Sequence, residues 1–143
     1  MRKLFFIISL GLSLTAMSCS TNTKDPSTKI QQEKSGENKN INVSEFTELL
    51  NKGEGQILDV RTPEEWKEGI IKGAQKMNFF DKDFHLQIDH LEKSQPVFVY
   101  CKSGGRSSKA AKQLEKKGFT VYNLTGGITA WKAAGKTISK KNN

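Results

Sequence analysis

The chain has 143 residues and carries 23 Lys and Arg against 15 Asp and Glu, a formal net charge of +8. That length builds one domain of ordinary size and excludes a second one of similar size. It also gives a core large enough to hold without disulfides, and Cys19 and Cys101 are the only cysteines.

The N-terminus opens with Arg2 and Lys3, continues as an apolar run of eleven residues from Leu4 to Leu14, and ends in small residues before Cys19. This is the layout of a secretory signal over residues 1–18, with an apolar stretch too short for a membrane span. The sequence "TAMSC" resembles a bacterial lipoprotein processing site, although Ala16 stands where an aliphatic residue is usual. Lipidation of Cys19 is the expectation, and ordinary cleavage after Ser18 the alternative. The implied location is the cell envelope, with the domain lipid-anchored to a membrane in the periplasm or outside the cell. A lipidated Cys19 leaves Cys101 without a disulfide partner, and an unpaired thiol in an exported protein calls for a chemical explanation.

Residues 19–40 are polar and nearly free of large apolar groups, which predicts a flexible tether with a reach of about 70 Å. The domain is expected over 41–138, followed by a basic tail over 139–143. Ser44 is placed to cap a short helix, "EFTELLNKG", that stops at Gly53. "QILDV" reads as a buried strand. In "TPEEW", Thr62 is a good N-cap, Pro63 suits the first helical position and Glu65 completes a capping box. "AQKMNF" reads as a strand, and residues 81–94 as a helix with Phe84, Ile88 and Leu91 on one face. "PVFVYC" is the next strand. Residues 107–117 place Ser107, Ala110, Ala111 and Leu114 on one face, with lysines opposite and Gly118 as the stop. "FTVYNL" forms a strand and "GITAWKAAG" a last short helix. The alternation of strands and helices predicts an α/β fold with a parallel sheet covered on both faces. In such folds the active crevice lies beyond the carboxyl ends of the strands, where Cys101 falls.

The segment "CKSGGRS" carries the chemistry. Gly104 and Gly105 permit positive φ and leave room for close approach, so successive N–H groups, with Lys102, Ser103 and Arg106, can line one anion-binding bowl. The following helix adds its positive end. Lys102 and Arg106 are the wrong sign for a helix start, which makes sense if the bowl holds an anion. Cys101 supplies one as its thiolate, and such surroundings lower a thiol's pKa.

With "LDVRTPEEW" (58–66), "GIIKGA" (69–74), "CKSGGRS" (101–107) and "LTGGITAW" (124–131), the chain resembles a single-domain rhodanese over roughly residues 41–138. The resemblance implies a rhodanese-like, five-stranded parallel sheet flanked by helices. It implies that Cys101 attacks a sulfane sulfur donor such as thiosulfate, holds the sulfur as a persulfide and passes it to cyanide, a thiol or a protein acceptor. By matched position, Lys102 to Arg106 form the anion-binding loop, Asp59 and Arg61 support it, and Gly126 and Gly127 form a turn close to it. No cofactor, metal or nucleic acid is implied. One departure is Ile70, which stands where the family often has histidine.

Other readings compete with this one. The cysteine phosphatases share a thiolate over an amide nest, but their loop is one residue longer than the four residues between Cys101 and Arg106. The smaller ring suits a sulfur atom better than a tetrahedral phosphoryl group. A relay module that hands its persulfide only to a dedicated partner is the second reading. His85 and His90 are five apart, about 500° of helix turn, so they share no face and suggest no metal site. Trp66 and Trp131 read as packing residues. Residues 41–100 carry 7 basic and 11 acidic side chains, whereas 101–143 carry 10 basic and one acidic, Glu115. The basic part starts at the loop, a field that would draw small anions to the cleft or an anionic membrane to the surface.

Overall fold

The computed structural model describes residues 36–53 and 55–140. Five strands form one parallel sheet: β1 (Glu37–Ile41), β2 (Gln56–Asp59), β3 (Gln75–Lys76), β4 (Val97–Tyr100) and β5 (Thr120–Leu124), in the order β1-β5-β4-β2-β3. The helices are α1 (Val43–Asn51), α2 (Pro63–Lys67), α3 (Phe84–Gln87), α4 (Gly105–Lys116) and α5 (Gly127–Ala133), with a 3-10 turn at Ile88–His90.

The central strand shows how the sheet is covered. All four residues of β4 are buried, as a strand with helices on both faces requires. Val97, Val99 and Cys101 pack with Ala110, Ala111 and Leu114 of α4 and with Phe84, Ile88 and Leu91. Phe98 and Tyr100 point the other way, into a cluster with Phe46 of α1 and Ile128 and Trp131 of α5. The period-2 alternation of one strand thus divides two cores. The face expected of α4 is the face it buries: Ser107, Ala110, Ala111 and Leu114. Both tryptophans meet cations or apolar groups: Trp131 lies edge-on to Phe46, and Lys76 sits over Trp66.

Several expectations need correction. The tether does not extend to residue 40, because Glu37–Ile41 pair in parallel with β5, and Asn123 donates to Asn40 at 2.7 Å. A polar segment becomes a strand here because an edge position asks only for backbone pairing, one buried residue (Ile41) and side chains that tolerate water. The cap of α1 is Asn42, not Ser44: its side chain accepts from the Glu45 amide at 3.0 Å while Glu45 accepts from the Asn42 amide at 3.1 Å. The strand expected over 74–79 shrinks to two residues, and the helix expected over 81–94 is a four-residue helix and a 3-10 turn, although Phe84, Ile88 and Leu91 are all buried as foreseen. Ser139, at the start of the expected basic tail, exchanges two backbone hydrogen bonds with Ile70, at 2.9 and 2.7 Å. The signal segment, Cys19, the tether up to residue 35 and residues 141–143 lie outside the described residues.

The topology places a crevice. From β2 the chain turns outward to β3, whereas from β4 it turns the other way to β5. The segments after β2 and β4 therefore diverge at the carboxyl end of the sheet, which is where α/β folds bind ligands. Those segments carry Arg61 to Glu65 on one side and Cys101 to Arg106 on the other.

Candidate active site

Cys101 follows directly on β4 and is 1 % exposed. The chain then turns through Gly104, whose φ of +104° is open to glycine and strained for other residues, and Gly104 serves as the cap of α4. The turn brings the Gly104 amide within 3.1 Å of the Cys101 Sγ and the Ser107 hydroxyl within 3.5 Å. Burial pushes the thiol up, but the Ser107 hydroxyl and the amides of Ser107, Gly104 and Ser103 outweigh it and hold Cys101 below the ordinary thiol value. Ser107 also lies 3.1 Å from the Gly104 carbonyl. It has one proton to give, so ionisation of the thiol draws that proton to sulfur.

A ring of amides requires its carbonyls to face elsewhere, and α5 arranges this. The Ile128 amide donates to the Cys101 carbonyl at 2.9 Å, and the Thr129 amide and hydroxyl donate to the Lys102 carbonyl at 3.1 and 2.9 Å. Gly127 makes the approach possible. A Cβ there would lie 2.4 Å from the Cys101 carbonyl oxygen and 2.7 Å from the Lys102 carbonyl carbon. Gly126, with φ of +76°, forms the turn before it.

Asp59 and Arg61 are fully buried under the crevice. Arg61 donates to Asp59 Oδ2 at 2.6 Å, to the Gly69 carbonyl at 2.7 Å and to the Glu65 carbonyl at 3.1 Å. Tyr100, the residue before the cysteine, donates to Asp59 at 2.6 Å and accepts from the Ile71 amide at 3.0 Å. Burial, followed by the Asp59 charge, pushes the Tyr100 phenol far above its ordinary value, so it stays a donor. The network ties α2 and the segment 69–71 to the strand that ends in Cys101. Removing either ion alone would leave a buried unpaired charge, at a cost of about 3–5 kcal/mol.

Four points differ from what the residue pattern suggests. Gly105 is the first residue of α4 rather than a positive-φ position. Arg106 does not point its guanidinium freely at the bowl: both terminal nitrogens bind the Glu65 carboxylate, at 2.6 and 2.8 Å. Glu65, legible only as half of a capping box with Thr62, therefore also belongs to the site. The Arg106 hydrogen bonds hold its carboxyl at about 2, below the usual carboxylate range. Ser107 was legible only as a small residue on a buried face. A hydroxyl among alanines, six positions after a cysteine, is the signal that would have found it. His85 and His90 are both exposed, and no cluster of metal-ligating side chains occurs among the described residues.

Comparison with known proteins shows the family. Residues 42–134 match the rhodanese-like domain family. The chain is 35 % identical over 101 residues to the thiosulfate sulfurtransferase GlpE of Pseudoalteromonas translucida, an alignment covering 67 % of this chain and 90 % of that protein. It is 37 % identical over 102 residues to the chloroplastic thiosulfate sulfurtransferase 16 of Arabidopsis thaliana, covering 64 % and 84 %. Among solved structures, a rhodanese-related protein from Thermoplasma volcanium superposes with a TM-score of 0.64 at 27 % identity, over 71 % of this chain and 97 % of that one.

Proposed function

The chain belongs to the rhodanese-like domain family, and from that premise we propose that it is a sulfurtransferase carrying a sulfane sulfur on Cys101, from thiosulfate or a similar donor to a thiophilic acceptor such as cyanide or a thiol. The observation that carries the proposal is the convergence of the Gly104 amide and the Ser107 hydroxyl on the Cys101 sulfur. These donors favour the thiolate, the nucleophilic form. In the first half-reaction the thiolate attacks the outer sulfur of thiosulfate, the S–S bond breaks, and sulfite leaves with the bonding pair. The persulfide anion that remains has its charge on the outer sulfur, and the same donors stabilise it. An acceptor thiolate or cyanide then attacks that sulfur and returns Cys101 to its thiolate.

Mass spectrometry of the full chain after incubation with saturating thiosulfate tests this. A gain of about 32 Da on Cys101, removed by cyanide, is the expected result. Cys101→Ser, folded by circular dichroism, should show no gain. A wild-type chain that gains no sulfur from any sulfane donor would end the proposal.

We also propose export, with Cys19 receiving lipid and holding the domain at a membrane surface. The support is the basic, apolar and small-residue order of residues 1–18 followed by cysteine. Among the described residues no helix is long and apolar enough to cross a membrane. Labelled palmitate fed to a bacterial host making the full chain should enter the protein and be lost in Cys19→Ser. An unlabelled wild-type protein would leave ordinary secretion as the reading.

A further inference from the structure

The mouth of the bowl is less positive than "CKSGGRS" suggests. Of the two cations flanking the thiol, Arg106 is held by both terminal nitrogens on Glu65, and a carboxylate at 2.6 and 2.8 Å offsets much of its charge for an incoming ligand. Lys102 is exposed and has no carboxylate partner among the described residues, so it is the one uncompensated cation at the loop. Beside the neutralised pair stands an apolar group in water. Phe80 is 66 % exposed, and its ring centroid lies 5.7 Å from the Arg106 guanidinium carbon. Its neighbour Phe79 packs edge-on against the buried Phe84, which anchors the turn that presents Phe80.

Such a rim discriminates by charge and polarity. Thiosulfate is a dianion whose sulfonate end stays at the mouth once its outer sulfur has entered the ring of amides. That end is held best by free cations, and the loop offers one, Lys102, beside an arginine already shared with Glu65. An organic hydropersulfide, R–S–SH, leaves a carbon-bearing group at the mouth, where an aromatic face gains from being covered. We infer that Glu65, Arg106 and Phe80 form a specificity rim that selects an organic hydropersulfide over thiosulfate as the sulfur donor.

The inference rests on the sulfurtransferase reading and adds the donor class. The step balances without an oxidant. The Cys101 thiolate attacks the outer sulfur of R–S–SH, and a new S–S bond forms as the old one breaks. R–S⁻ leaves with the electron pair and takes up the proton of the hydropersulfide. The products are the Cys101 persulfide anion and R–SH.

The test is the rate of sulfur loading on Cys101 of the full chain, read by quenched alkylation and intact mass, with glutathione hydropersulfide and with thiosulfate as donors. The wild type should load at least about tenfold faster per molar donor from the hydropersulfide, after correction for the reactivity of each donor with free cysteine. Glu65→Gln, which keeps an oxygen for the Thr62 cap, frees the Arg106 charge. It should raise the ratio of thiosulfate loading to hydropersulfide loading about fivefold. Phe80→Ala should lower loading from the hydropersulfide about fivefold more than from thiosulfate. Because Phe80 is largely exposed, that variant decides the question even if Glu65→Gln melts early. Loading from both donors with a ratio unchanged in Phe80→Ala overturns the specificity rim and leaves the sulfurtransferase reading intact. No loading from either donor overturns both.

Discussion

Helices α4 and α5 begin alike. Each follows a strand of the sheet, each is preceded by a glycine with positive φ, and neither has a side-chain cap. Their first amides do opposite work. At α4 the Gly104 amide turns to the Cys101 sulfur, so the positive end of the helix faces a group that becomes an anion. At α5 the Ile128 and Thr129 amides bind the Cys101 and Lys102 carbonyls, so the same kind of end serves as a clamp. The reactive helix start depends on the structural one. With those two carbonyls released, the peptide units between Cys101 and Gly104 could rotate, and oxygen lone pairs would compete with N–H groups for the bowl. What a helix N-terminus does is thus decided by the atom its neighbour presents.

Substitutions at the two starts should separate these roles. The largest effect is expected at the clamp. Gly127→Ala sets a Cβ 2.4 Å from the Cys101 carbonyl oxygen at a φ of +57°, so the loop must move. We expect a loss of about 3 kcal/mol in urea unfolding and sulfur loading slowed by at least tenfold. Next is Ser107→Ala at the reactive start. It removes a donor to the thiolate, so the thiol titrates higher and less thiolate is present at neutral pH. Loading at pH 7 should fall about tenfold, and the midpoint of alkylation against pH should move up toward that of free cysteine. A midpoint that stays put would show that the amides alone set the thiol.

Gly104→Ala should cost less than Gly127→Ala, about 1–2 kcal/mol, although its φ is also positive. A Cβ at Gly104 meets nothing nearer than 3.5 Å, so backbone strain acts without a clash. Equal losses at the two glycines would remove the distinction between clamp and bowl. The smallest effect concerns the rim. The Glu65 carboxyl sits at about 2 in the folded chain against 4.5 as its ordinary value. Its contribution to stability is therefore complete above pH 4.5 and lost as the pH falls through about 2. The stability difference between wild type and Glu65→Gln should shrink across that window, as followed by thermal unfolding.

Much of this was legible before the fold was known, for reasons that are local. A buried parallel strand must be apolar throughout, so "PVFVYC" declared itself. A capping box is set by residues three apart, so Thr62 and Glu65 did too. Cys101 stood out because thiol, glycines and cations fall within one short loop. What stayed hidden depends on partners distant in sequence. Strand β1 exists because β5 offers a free edge 83 positions away, and nothing in "ENKNI" announces it. Arg106 looked like a free cation until the fold brought Glu65 to it across 41 positions. Ser107 looked like packing because its hydroxyl matters only once the loop folds back over Cys101. The helix expected over 81–94 failed for a different reason: its apolar spacing fits one face, but the segment holds it with two short turns instead of a continuous helix.

The clamp on the reactive loop also imposes an order in time. Thr129 binds the Lys102 carbonyl from 27 positions downstream, and Ile128 does the same for Cys101. A chain folded only as far as Arg106 holds the thiol without the α5 contacts that shape its surroundings. In the folded chain the inward-facing amides depend on α5 being docked against the loop carbonyls. The environment proposed to activate the thiol is therefore a late product of folding, and a chain cut short before α5 would lack it.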